Sequence, residues 1–159
     1  VRDAINDNRP ILKDPPPVAP DPRAAARSGI RILLAEDDPV NAMLVRSVLE
    51  RAGHTVRHVP DYRALVSALG GATDAGPFTP DLIVTDLGMP GGEAQEMITR
   101  IVRCDYGNAR LPVIVLTADS RAVLAQELLA IGADAVLAKP ADPARLLGEI
   151  GRLSRRSQV

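Results

Sequence analysis

The sequence contains few aromatic residues and a single cysteine, and both facts restrict the class of protein. Its 159 residues include one Phe, two Tyr and no Trp. Stacking platforms for single-stranded nucleic acid are built from aromatic rings, so we do not expect this type of binding, and we predict an aliphatic core. Cys104 has no second cysteine with which to form an intrachain disulfide, and this fits a reducing compartment.

The chain also lacks a strong net charge and a long apolar run. Its formal net charge of −1 provides no global field for nucleic acid or a membrane surface. No apolar stretch approaches the roughly 18 residues that a membrane span requires, and no signal peptide pattern opens the chain. We therefore expect a soluble cytoplasmic domain that contacts neither nucleic acid nor membrane.

The first 29 residues differ in composition from the rest. They hold six of the fourteen prolines, mixed with charged residues and without sustained apolar periodicity. We interpret residues 1–29 as a Pro-rich linker, extended or disordered, residues 30–153 as one domain, and 154–159 as a C-terminal tail. Because the chain begins with Val1 rather than Met and a linker precedes the domain, we expect a fragment of a longer protein. Because only about six residues follow the last predicted helix, we expect no output domain downstream.

From residue 30 onward, strand and helix patterns alternate five times. The apolar runs predict strands at about 31–35, 54–59, 81–85, 112–117 and 134–138. The intervening segments predict helices at about 39–52, 61–69, 92–104, 119–131 and 142–153. Five βα units with short connections predict right-handed crossovers and a doubly wound parallel sheet. At this length the usual solution is an α/β, flavodoxin-like (βα)5 fold with strand order 2-1-3-4-5.

The first helix has a clear start and a predicted apolar face. Asp38 is the expected N-cap, and the proline that follows it suits the first turn of a helix. Val40, Leu44, Val48 and Leu49 are predicted to share one apolar face.

Polar side chains stand where the predicted strands end. Glu36 and Asp37 follow the first strand, Asp86 ends the third, and Thr117 and Lys139 end the fourth and fifth. Ligands bind at the carboxyl ends of strands in an open parallel sheet, so these groups are expected to form one site. Three close carboxylates repel one another, and an oxygen-only set suits Mg²⁺. A hydroxyl and an ammonium are useful if Asp86 acquires the further negative charge of a phosphoryl group.

Four segments together resemble the receiver domain of two-component response regulators. They are Leu33–Asn41, Asp81–Pro90, Leu116–Ala118 and Leu137–Pro140, and the resemblance covers about residues 30–153 in order and with the expected spacing. It implies that Asp86 is the phosphoacceptor, supplied by the phosphohistidine of a histidine kinase or a histidine phosphotransfer protein.

The resemblance also implies a role for each site residue. Asp37 and Asp86 are implied to bind Mg²⁺ directly with the Gly88 carbonyl, while Glu36 acts through a water molecule. Thr117 and Lys139 are implied to hold the phosphoryl oxygens. Such a domain is a signalling module that catalyses only its own phosphotransfer and dephosphorylation, and is not otherwise an enzyme. The sequence of the first segment most resembles that of receivers at the C-terminus of hybrid histidine kinases.

Two positions depart from the family pattern. Receivers usually carry Phe or Tyr three residues before the lysine, and here that position is Val136. In such receivers this aromatic side chain turns inward as the threonine moves. We hypothesise that this rotamer switch is absent or replaced here. The loop after Pro90 reads Gly91-Gly92-Glu93-Ala94, where relatives often have Met-Asp-Gly in the last three positions.

Two alternatives to a working receiver stay open, and Val136 motivates the first of them. A pseudo-receiver would keep the fold as a constitutive protein-interaction domain and never use phosphate. A turnover phosphohydrolase with an Asp nucleophile would usually carry an acid two residues further on, where this chain has Gly88. His54 and His58 are interpreted as structural. The oligomeric state, monomer or weak dimer, stays open.

Overall fold

The computed structural model describes residues 29–69, 78–105, 110–119 and 121–157, with the side chains of 155–157 excepted. Within these residues the chain forms five strands: β1 (Arg31–Ala35), β2 (Thr55–Val59), β3 (Leu82–Asp86), β4 (Val113–Thr117) and β5 (Ala135–Ala138). It also forms five helices: α1 (Pro39–Arg51), α2 (Tyr62–Leu69), α3 (Ala94–Val102), α4 (Ala122–Ile131) and α5 (Pro143–Ser157). Residues 1–28 of the expected linker lie outside the described part of the chain.

The strands form one parallel sheet in the order β2-β1-β3-β4-β5, which confirms the predicted fold class. Ala35 at the end of β1 pairs with Thr85 of β3. Asp86 pairs with Leu116, and Thr117 pairs with Ala138 of β5. This register brings the carboxyl ends of the four strands β1, β3, β4 and β5 to one edge of the sheet.

Each face of the sheet is covered by helices. One core cluster packs alternate residues of β1, β3 and β4 against α2, α3 and α4. The other packs the remaining strand residues against α1 and α5. Burial on both faces explains why these strands read as continuous apolar runs and not as an alternating pattern.

Helix α1 begins as predicted. The Asp38 side chain accepts hydrogen bonds from the backbone N–H groups of Val40 at 2.9 Å and Asn41 at 3.3 Å. It therefore satisfies two of the donors that a helix start leaves without intrahelical partners.

The predicted apolar face of α1 is correct at Leu49 but wrong at Val40 and Leu44. Ala42, Val45 and Leu49 are buried, whereas Val40 is 60% and Leu44 57% exposed. This helix carries apolar residues on more than one side, so spacing alone does not select the buried stripe. Packing against the sheet selects it, with Val45 and Leu49 in the core cluster on that face.

Several helix ends also differ from prediction. Helix α5 continues to Ser157, four residues past the expected end, because its charged last turns contain no residue that stops a helix. Helix α3 begins at Ala94 rather than 92 and ends at Val102 rather than 104, and α4 begins at Ala122 rather than 119. The other boundaries agree with prediction to within one residue. None of the helices in the described residues combines the length and apolar character that crossing a bilayer requires.

Candidate functional site

Three carboxylates meet at the carboxyl edge of the sheet. Glu36 and Asp37 directly follow β1, and Asp86 is the last residue of the neighbouring strand β3. One oxygen from each lies within 4.8 Å of the others. Glu36 is 1% and Asp86 7% exposed, while Asp37 faces solvent. The structure thus brings together all three acidic residues that the sequence predicted.

Lys139 provides the positive charge at this cluster. Its ammonium lies 2.7 Å from Asp86 Oδ1 and 3.2 Å from Glu36 Oε1. The chain reaches this place because Lys139 follows β5 and its backbone N–H donates to the Thr117 carbonyl at 2.8 Å. Burial lowers the pKa of Lys139, but hydrogen bonds to both carboxylates outweigh that effect and raise the pKa overall.

The surroundings of Asp86 raise the pKa of its carboxyl group to about 6. Burial is the largest cause, the hydrogen bond from Lys139 acts in the opposite direction, and the negative charge of Glu36 adds to the rise. When all three carboxylates are ionised, a single ammonium leaves two negative charges uncompensated. An oxygen-lined cluster with this excess charge fits a hard divalent cation such as Mg²⁺.

Both oxygens of Glu36 already have hydrogen-bond partners within the protein. The Asn41 side-chain amide donates to Oε1, which Lys139 also contacts, and the Asp38 N–H donates to Oε2 at 3.2 Å. His58 Nε2 lies 2.7 Å from the Glu36 backbone oxygen. Asn41 is a site neighbour without a predicted role, although its place in the first turn of α1, just after the acidic run, was an available signal.

Thr117 ends β4, the strand that pairs with the end of β3, and Gly88 follows Asp86 by two residues in the chain. Thr117 is 5% exposed, and its hydroxyl oxygen accepts the Asp119 N–H at 3.0 Å. It stands one residue beyond the partner of Asp86 on the adjacent strand. Gly88 lies in the β3–α3 loop with φ +90°, a left-handed conformation in which a side chain would be strained.

Tyr62 is a site neighbour that sequence reasoning missed. Its hydroxyl donates to the Asp86 carbonyl oxygen at 3.2 Å, and the residue is 1% exposed. Burial raises the pKa of this phenol, while hydrogen bonds from the backbone of Met89 and Gly88 oppose the rise. Its position as the first residue of α2, in a chain with two tyrosines, was the only available signal.

Residues 32–151 of the chain match the family model of the response regulator receiver domain. The chain therefore belongs to the response regulator receiver domain family, and it is a receiver domain of a two-component system. Domains of this family are signalling modules without turnover activity of their own. They bind Mg²⁺ through acidic residues and interact with histidine kinases or phosphotransfer proteins.

Particular relatives support the same assignment. The chain is 35% identical over 140 residues to the transcriptional regulatory protein TcrA of Mycobacterium tuberculosis, covering 86% of this chain and 51% of TcrA. It is 33% identical over 133 residues to the sensory/regulatory protein RpfC of Xanthomonas campestris pv. campestris, covering 83% of this chain and 17% of RpfC. The chain thus spans about half or less of the length of these relatives.

A solved structure agrees in fold. The receiver domain of a signal transduction histidine kinase from Syntrophus aciditrophicus matches with a TM-score of 0.65 and 29% identity, covering 80% of this chain and 91% of that one. Because the relatives include both regulators and sensory proteins, the origin in a hybrid kinase stays a prediction.

Proposed function

We propose that Asp86 accepts a phosphoryl group from a phosphohistidine and that phosphorylation changes which partners the domain binds. The observation that carries this proposal is the contact of a buried carboxylate with an ammonium at 2.7 Å, inside a cluster of three acids. A structural ion pair does not need the two additional carboxylates, whereas a phosphoacceptor does, because they supply a site for the cation that balances the phosphoryl charge.

The proposed reaction is a displacement at phosphorus. One carboxylate oxygen of Asp86 attacks, an O–P bond forms, and the P–N bond of the phosphohistidine breaks. The electron pair of that bond goes to the imidazole, which leaves as the neutral ring when its other nitrogen carries the proton. Asp86 must be ionised to attack, so a pKa of about 6 leaves it largely competent at neutral pH.

We infer that Mg²⁺ is held by Asp37, Asp86 and the carbonyl of Gly88, with Glu36 acting through water. The bonds that both Glu36 oxygens already make to other groups support this indirect role. When bound, Mg²⁺ supplies positive charge that neutralises the carboxylates and the incoming phosphoryl oxygens.

The roles of Thr117 and Lys139 follow from their places beside Asp86. Lys139 orients the acceptor carboxylate and would pair with a phosphoryl oxygen after transfer. The Thr117 hydroxyl is at the end of the adjacent strand and would donate to another. The donor is proposed to be a histidine kinase or a histidine phosphotransfer protein, and the domain is proposed to dephosphorylate itself slowly.

Intact-mass analysis after incubation with Mg²⁺ and phosphoramidate or acetyl phosphate tests this proposal. We expect one added phosphoryl group in the wild type, dependent on Mg²⁺, and none in Asp86→Asn. Asp81→Asn is the matched control, because Asp81 is an exposed carboxylate next to the start of the same strand. The absence of an adduct in the wild type, with beryllofluoride also failing to perturb the domain, would contradict the proposal and favour a constitutive interaction domain.

A further inference from the structure

Tyr62 is buried against the acidic site, and the chemistry proposed above does not use it. Its hydroxyl donates to the Asp86 carbonyl oxygen at 3.2 Å, and the backbone N–H groups of Gly88 and Met89 lie near enough to it to lower its pKa. One hydroxyl group therefore bonds to Asp86 and faces the backbone N–H groups of Gly88 and Met89. This short segment carries both the proposed phosphoacceptor and the carbonyl proposed to bind Mg²⁺.

The rest of the β3–α3 loop also packs on Tyr62. The Tyr62 backbone N–H donates to the Pro90 carbonyl at 3.1 Å. A Cβ added at Gly91 would lie 3.5 Å from the Tyr62 nitrogen, and one at Gly92 would lie 3.7 Å from Cδ2 of the ring. Gly91 also has φ +96°. Gly91 and Gly92, the second of which departs from the family pattern, thus lie directly against this tyrosine.

Burial makes the hydroxyl and the loop depend on each other. A buried hydroxyl is costly unless it forms hydrogen bonds, and the backbone of residues 86–89 supplies the polar groups around the hydroxyl of Tyr62. Without the hydroxyl, the Gly88 and Met89 amides lose this acceptor. The Asp86 carbonyl keeps the bond that the Thr85 hydroxyl donates at 3.0 Å. The loop would then be free to leave the conformation that presents Asp86 and Gly88 to the cluster.

We propose that Tyr62 is a positioning residue of this site, whose hydroxyl holds the β3–α3 loop in the conformation that binds Mg²⁺. It acts through the backbone of residues 86–89 and touches neither the cation nor the phosphoryl group. The inference rests on the proposed function of Asp86, since it assigns Tyr62 to the same reaction.

Tyr62→Phe tests this, because it keeps the ring and removes only the hydroxyl. Loss of a buried hydrogen bond corresponds to about a threefold to tenfold change in an equilibrium constant. We expect the Mg²⁺ dissociation constant to rise by that factor. The phosphorylation rate should fall at low Mg²⁺ and recover at saturating Mg²⁺, since binding is impaired and the reacting groups are intact.

Thr85→Val is the matched control. It removes the other hydroxyl that bonds the Asp86 carbonyl, from a residue that is 2% exposed, and the Thr85 hydroxyl bond goes to that carbonyl alone among the contacts described. Both variants are expected to lose some stability. Only Tyr62→Phe is expected to weaken Mg²⁺ binding, with Thr85→Val within about twofold of wild type.

Amide hydrogen exchange, followed by NMR in Mg²⁺-free protein, supplies a readout that is independent of phosphorylation. We expect the Gly88 and Met89 amides to exchange faster in Tyr62→Phe than in wild type or Thr85→Val. A general loss of stability would instead accelerate amides throughout the sheet in both variants.

The outcomes separate this inference from the proposed function. Equal Mg²⁺ affinity in wild type and Tyr62→Phe, or equal weakening in Thr85→Val, would overturn the role of Tyr62 while phosphorylation at Asp86 stands. A wild type that binds Mg²⁺ but takes no phosphoryl group would overturn the proposed function, and the affinities would still decide the role of Tyr62. Failure of the wild type to bind Mg²⁺ would overturn both.

Discussion

Asp86→Asn is expected to stabilise the metal-free protein at neutral pH, although it removes the proposed phosphoacceptor. The carboxyl pKa rises from 3.8 to about 6 in the folded protein, chiefly because its side chain is 9% exposed and faces Glu36. A pKa difference of one corresponds to about 1.4 kcal/mol, so ionising this group costs the fold up to about 3 kcal/mol. The amide carries no charge and avoids that cost.

The upward direction of the Asp86 pKa shift determines the pH range in which Asp86→Asn stabilises the protein. Between about pH 3.8 and pH 6, the folded protein keeps a proton on Asp86 that the unfolded chain releases. Stability conferred by the neutral acid is therefore present below pH 3.8 and is lost as the pH rises to about 6. The gain from Asp86→Asn should be close to zero near pH 4 and reach about 1 to 3 kcal/mol above pH 7, the lower value allowing for the weaker bond from Lys139.

Urea denaturation of wild type and Asp86→Asn in EDTA, at several pH values from about 4 to 8, measures this difference. Asp81→Asn is the control, since Asp81 is exposed and accepts the Arg31 N–H at 2.9 Å, so its loss should destabilise slightly at all these pH values. Mg²⁺ at ten times its dissociation constant should stabilise wild type by about 1.4 kcal/mol. This would reduce the difference in unfolding free energy between wild type and Asp86→Asn. An Asp86→Asn variant that is no more stable than wild type at neutral pH, or a gain independent of pH, would refute the reasoning.

Three other predictions follow from the contacts. Lys139→Met should raise the pKa of Asp86 further, because the ammonium lowers it, and a pH–rate profile of phosphoramidate labelling should shift to higher pH; an unshifted profile would contradict this. Leu49→Ala should cost about 2 to 5 kcal/mol in urea denaturation, whereas Leu44→Ala on the same helix should stay within about 0.5 kcal/mol, and similar losses would refute the buried face of α1. Asn41→Ala removes the amide that bonds the buried glutamate of the site, so Mg²⁺ titration should show weaker binding, and an unchanged midpoint would argue against that role.

The sequence by itself determined the fold class, the strand order and the place of the acidic residues. Continuous apolar runs ending in polar residues predict covered parallel strands, and in such a sheet the strand ends must meet at one edge. That is why Glu36, Asp86 and Lys139, from three different strands, could be assigned to one site before any contact was known. The Asp38 N-cap could also be predicted from the sequence, because its hydrogen bonds reach only the next turn of the chain.

Tertiary structure alone decided which face of α1 is buried and what surrounds Asp86. The helix carries apolar residues on more than one side, and only docking on the sheet selects Ala42 and Val45 over Leu44. The contact of Tyr62 with Asp86 joins residues 24 positions apart, and Gly91 and Gly92 of the loop that follows Asp86 also lie against Tyr62. Local sequence patterns cannot predict such a contact, because its energy comes from burying groups that only the folded chain brings together.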